Sequence, residues 1–205
     1  MSTDKRGKAM KKAILVLLVM MSISVVPMFA GAIPYPNSGT IAPTNSFTAA
    51  FTGNITGYFY GFSAGHTDYV GMLNVTTSVF SGWFFNNQTT APGTSADFGL
   101  VTAGDVLVFK LWDVTSGLTF ASNPSMSADG INHAYATDFA GGNGIPAGIF
   151  VGMEDLPLGQ SDLDYNDDQF VFVNVNTGTP EPGTLVMVGS GLIGLAGILR
   201  RKINL

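Results

Sequence analysis

The cations of this chain are gathered at its two ends, each group beside an apolar run. Lys5, Arg6, Lys8, Lys11 and Lys12 precede Ala13 to Val26, and Arg200, Arg201 and Lys202 follow Thr184 to Leu199. Only residues 33–177 remain to form a water-soluble fold, and a chain of 205 residues then has room for one domain of ordinary size. Between Ile33 and Thr179 twelve Asp or Glu stand against Lys110 alone, so twelve minus one gives eleven net negative charges. Phosphate neutralisation needs Lys and Arg, so the middle is not built for nucleic acid; a cation is its natural partner. The plainer alternative is that the acidity keeps an extracellular domain in solution.

Cysteine is absent, which excludes disulfides and any Cys-based zinc, haem or redox site. Twenty-six Gly, with abundant Ser, Thr and Asn and no long helical run in the middle, predict many short strands joined by tight turns. The expected fold is all-β, a β-sandwich or jelly-roll-like exported domain. A cleavable N-terminal signal helix and a C-terminal single transmembrane helix flank it.

At the N-terminus, the fourteen residues Ala13 to Val26 are too few to span a bilayer comfortably at about 1.5 Å each. Pro27 and the small-x-small site Ala30-Gly31-Ala32 follow, so residues 1–32 read as a signal peptide cut after Ala32 by signal peptidase. At the other end, Thr179-Pro180-Glu181-Pro182-Gly183 precedes the apolar run 184–199 and then Arg200-Arg201-Lys202. A helix over that run reaches about 25 Å, and the three cations hold its end on the cytoplasmic side of the inner membrane. The tail, 178–205, resembles the PEP-CTERM sorting signal, whose family is processed by an exosortase, a membrane transpeptidase-like cysteine protease. The resemblance implies cleavage near Pro180 to Pro182, transient residence in the inner membrane, and delivery to the cell surface or an exopolysaccharide matrix of a Gram-negative-type bacterium.

In the middle, Phe47, Ala49 and Phe51, then Ile55, Tyr58, Phe59, Tyr60 and Phe62, predict two aromatic strands broken at Gly53-Asn54 and Gly57. Further strands are expected at Val70 to Thr76, Val79 to Phe85, Asp105 to Asp113, Gly148 to Met153 and Gln169 to Val175, seven or so in all. Leu107, Phe109 and Leu111 should face the core. Ser116 to Gly148 has few large apolar residues and reads as a long excursion or a region of weak strands.

Carboxylates are sparse until Glu154-Asp155 and then crowd into Asp162-Leu163-Asp164-Tyr165-Asn166-Asp167-Asp168, just before an apolar strand. Like charges this close repel unless a cation, donors or water offset them, and a hard, oxygen-loving metal such as Ca2+ answers the crowding. Alternate spacing lets Asp162, Asp164 and Asn166 turn toward one ion while Leu163 and Tyr165 face away. The run begins like a calcium-binding D-x-D-x-N loop. It is not an EF-hand: Asp167 stands where Gly is needed and Val173 where a bidentate Glu is needed.

Gly152-Met153-Glu154-Asp155-Leu156-Pro157 with Ser161-Asp162-Leu163-Asp164-Tyr165-Asn166-Asp167 is similar to the E-D-L...S-D-x-D-Y-N-D signature of a β-domain in bacterial surface proteins. That resemblance implies a calcium-dependent exported protein with ligands among Glu154, Asp155, Asp162, Asp164, Asn166, Asp167 and Asp168, without saying which share an ion. The alternative is an acidic Asx-turn loop whose side chains cap backbone donors and face water.

His66 and His133 are the only histidines, and a triad with Asp68 and one of many serines would be chance; hydrogen-bonded or surface histidines are expected. Trp83, Trp112, Tyr58, Tyr60 and Tyr69 suit core packing, with a sugar-stacking platform as the alternative. The reading is a non-enzymatic protein of the surface or biofilm matrix, stabilised by calcium. A lectin-like carbohydrate-binding module is the alternative, with a secreted hydrolase more remote.

Overall fold

In β6 (Val106–Asp113) Leu107, Phe109 and Leu111 are buried, while Lys110 and Trp112 on the other face stay half-buried. That period of two lays one face of the strand on a core. The computed structural model describes residues 33–178. Ala30 and Ala32 of the signal, and Pro180, Glu181, Pro182, the run 184–199, Arg200, Arg201 and Lys202 of the tail, lie outside the described residues. Among the described residues no helix is long and apolar enough to cross a membrane.

The other strands are β1 (Ser46–Ala49), β2 (Gly53–Phe62), β3 (Asp68–Asn74), β4 (Val79–Phe84), β5 (Ser95–Val101), β7 (Leu118–Ala121), β8 (Ala134–Phe139), β9 (Gly148–Met153), β10 (Asp168–Val173) and β11 (Val175–Gly178). They form two antiparallel sheets. One has the order β11-β1-β6-β3-β4, with β7 also paired to β6; the other has the order β5-β2-β10-β9-β8. The chain is an all-β sandwich. Phe47, Val70, Met72, Leu107, Phe109 and Leu111 of the first sheet meet Ile55, Phe59, Phe98, Val151, Phe170 and Phe172 of the second in one core. At its centre Phe109 and Phe172 stack with ring centroids 3.9 Å apart.

Three expectations are corrected and one pair of alternatives is decided. Gly57 does not break a strand: β2 runs through it, and a Cβ there would lie 2.4 Å from Phe98 and 2.9 Å from Phe172, so the glycine makes room for two core rings. Ser95–Val101 is a strand that its single buried aromatic, Phe98, concealed. Of the two readings of Ser116 to Gly148, a long excursion or a region of weak strands, the second holds: the stretch contains β7 and β8, short strands fed by Phe120, Ala121, Ala134 and Phe139. The expected last strand is two strands in different sheets: Asn174, at φ 69°, turns the chain between them. Its side chain holds the corner, donating to the Phe51 carbonyl (3.0 Å) and accepting from the Phe51 N–H (2.8 Å).

The second sheet is apolar on both faces. Beyond it, Phe139, Ile145, Phe150 and Val171 pack with Ile33, Tyr58 and Tyr60, and beside them Tyr35 and Ala42 pack with Leu163 and Tyr165. The N-terminal segment of the described chain thus covers this sheet and clamps the acidic loop between β9 and β10.

Candidate cation site

The loop from Glu154 to Asp167 leaves β9 and returns along it as β10, and it lies close on β9 because residue 152 is glycine. A Cβ there would stand 2.2 Å from the Tyr165 carbonyl oxygen. Leu163 (φ 54°) and Tyr165 (φ 56°) are both left-handed, a conformation that costs roughly 1–2 kcal/mol each for residues with a Cβ. Burial offsets this: Leu163 and Tyr165 sit in the cluster with Tyr35 and Ala42, and the Tyr165 hydroxyl accepts from the Ala42 N–H at 2.7 Å. The two apolar side chains go one way and the intervening acids the other.

Glu154, Asp162 and Asp164 thereby converge, each offering one carboxylate oxygen within 4.8 Å of the others. Glu154 is fully buried. Its oxygens accept from the Tyr165 N–H and the Ser161 hydroxyl, yet burial still pushes its carboxyl up to about 7. Asp164, raised by burial, accepts from the Asn166 N–H at 3.0 Å and from the Asn166 side-chain amide. Asn166 therefore stands one step behind the three, tied to Asp164. Three oxygens and no sulfur or nitrogen suit a hard cation such as calcium.

The remaining acids of the run lie elsewhere. Asp168 opens β10 beside Met153, and Asp155 follows β9, so both continue the core-facing parity of those strands. The Asp155 N–H donates to Asp167 Oδ2 at 3.2 Å, and burial pushes Asp155 up to about 6 and Asp167 up to about 7. Two acids that the sequence reading did not place with the acidic run join this end of the sandwich: Asp68 at the start of β3, and Asp113 opposite it at the end of β6. They are remote in sequence from the acidic run. Their only signal was position, each at the polar end of an alternating strand on the core-facing parity.

Each histidine pairs with an aspartate, and only His66 with one of these. His66 Nδ1 lies 2.8 Å from Asp113 Oδ2, and that hydrogen bond raises the imidazole above its ordinary value. The Ser116 hydroxyl donates to the same Asp113 carboxylate rather than to the imidazole. His133 stacks on Phe120 and faces Asp129 at 3.0 Å; burial lowers it. Tyr58 and Tyr60 pack outside the second sheet. Tyr69, Trp112 and Trp83 instead line the outer face of the first sheet, at centroid spacings of 6.0 and 5.7 Å.

Beyond the described residues, the PEP-CTERM protein-sorting motif matches residues 179–202, the segment that directly follows β11. No curated protein and no solved structure matches the chain. The motif implies export, processing by an exosortase and a place at the cell surface or outside the cell.

Proposed function

We propose, for a chain that ends in a PEP-CTERM sorting motif, a non-enzymatic surface or exopolysaccharide-matrix protein whose β-sandwich is stabilised by calcium at Glu154, Asp162 and Asp164. Signal peptidase acting after Ala32 and an exosortase acting near Pro180 to Pro182 are its processing enzymes, and the run 184–199 is its transient hold on the inner membrane. The observation that carries the reading is the convergence of three carboxylates on a loop whose left-handed residues, Leu163 and Tyr165, are spent in arranging it. A bound ion would tie this loop across β9 and β10, and it would cost little to fill where calcium is millimolar. Calorimetric titration of the full-length chain in mild detergent with calcium tests it. The wild type should show a binding event that Asp162→Asn with Asp164→Asn removes; identical isotherms would overturn the reading.

A second reading has one observation in its favour. Tyr69, Trp112, Trp83 and Phe80 form a half-exposed aromatic row on the outer face of the first sheet, a surface on which sugar rings could stack. On that reading, exopolysaccharide shifts the Trp fluorescence, and Trp83→Ala weakens the shift. An unchanged spectrum removes it.

A further inference from the structure

Asp68, Asp155 and Asp168 are 0, 2 and 0% exposed and interact with one another where β3 of one sheet faces β9 and β10 of the other, although among the described residues only Glu154, Asp162 and Asp164 already bring three carboxylate oxygens within 4.8 Å of one another. Among the described residues, neither oxygen of Asp168, nor Oδ1 of Asp68, receives a hydrogen bond from an N–H or O–H donor. The other Asp68 oxygen accepts from Asn87 Nδ2 at 2.9 Å. Their neighbour Asp113 is treated differently: the Thr115 and Ser116 N–H groups, the Ser116 hydroxyl and His66 all serve its carboxylate. The fold supplies donors to one buried acid and withholds them from the other.

The Asp68 and Asp168 carboxyls face each other as a pair, and only a shared proton or a cation can join two such groups. Among the described residues no Lys or Arg supplies that charge, and His66 acts on Asp68 and Asp155 only through space. Lys110, the only Lys or Arg between residues 33 and 178, lies on the outer face of β6, and His66 is taken by Asp113.

We propose that Asp68, Asp155 and Asp168, with Asp167 beside them, hold a divalent cation of the calcium class between the two sheets, separate from the site at Glu154, Asp162 and Asp164. The donors are all carboxylate oxygens, which selects a hard ion. The enclosure favours calcium over magnesium, which keeps its waters and demands a regular octahedron. The ion would join strand ends far apart in sequence, β3 to β9 and β10, where the core runs out. The inference does not depend on the loop site being filled.

Native mass spectrometry of the full-length chain, released from detergent in calcium and in chelator, counts the ions. The wild type should carry two calcium ions. The Asp162→Asn, Asp164→Asn variant, altered at one exposed and one half-exposed position, should keep one ion and a calcium-dependent rise in Tm. Asp168→Asn should keep only the loop's ion. A loop variant that binds none overturns the proposal, and so does an Asp168→Asn chain that binds as many as the wild type. If Asp168→Asn does not fold, the loop variant alone decides. If a proton joins the pair instead, Asp168→Asn, whose amide can donate to Asp68, melts above the wild type in chelator, and calcium adds nothing to the loop variant. A wild type that carries a single ion, which the loop variant keeps, would sink the loop site and leave this one standing.

Discussion

A methyl group at residue 152 would sit 2.2 Å from the Tyr165 carbonyl, so Gly152→Ala must lift the acidic loop off β9 or bend the strand. The expected cost is about 2–3 kcal/mol, read from chemical denaturation, with calcium affinity falling as well because Glu154 and Asp164 are moved apart. An alanine variant as stable as wild type would show that the loop does not press on the strand. Tyr165→Phe is milder. It removes the hydroxyl that accepts from Ala42 at 2.7 Å and donates to the Asn132 carbonyl at 3.3 Å, leaving buried groups unpaired, and should cost about 1–2 kcal/mol. At this scale the sequence was informative about chemistry: oxygens at alternate positions and apolar residues between them were visible. It was silent about Gly152, because a close approach between backbone and backbone leaves no mark on hydropathy.

At the scale of the element, the β9–loop–β10 unit has a pH signature whose sign follows from burial. Without metal, Glu154 and Asp167 titrate near 7 and Asp155 near 6, against about 4 for a carboxyl in the unfolded chain. Between pH 4 and 7 the folded chain then holds more protons than the unfolded one, so stability in calcium-free buffer should fall as pH rises through that window. Calcium and protons compete for the same oxygens, so the gain in Tm from calcium should grow from pH 5 to pH 7.5. A gain independent of pH would mean that the ion binds elsewhere. Alternation made β6 legible in the sequence, and an unbroken apolar run did the same for β9. The short strands β7 and β8 were not legible, since four to six residues with one or two large apolar side chains give no clear period. Nor was the corner at Asn174, where an apolar run continues while the chain changes sheets.

For the whole molecule, the acids sit at one end of a sandwich whose core is otherwise aromatic and closed by Phe109 on Phe172. Phe109→Ala would leave a cavity between the sheets and should cost about 3–5 kcal/mol, whether or not calcium is present. On the proposed reading the acidic end differs, because its stability depends on a bound cation. The sequence showed the acidic run but not that Asp68 and Asp113, about a hundred and about fifty residues upstream of its end, come to meet it; that juxtaposition belongs to the sheet order. The most direct measurement is the Tm of the full-length chain across a calcium series beginning in excess chelator. A cation held only by the folded state adds RT ln(1 + [calcium]/Kd), about 2.7 kcal/mol at a hundredfold excess over Kd. The account predicts a Tm that climbs by several degrees with the logarithm of calcium and falls back in chelator; one flat Tm from chelator to millimolar calcium would contradict it.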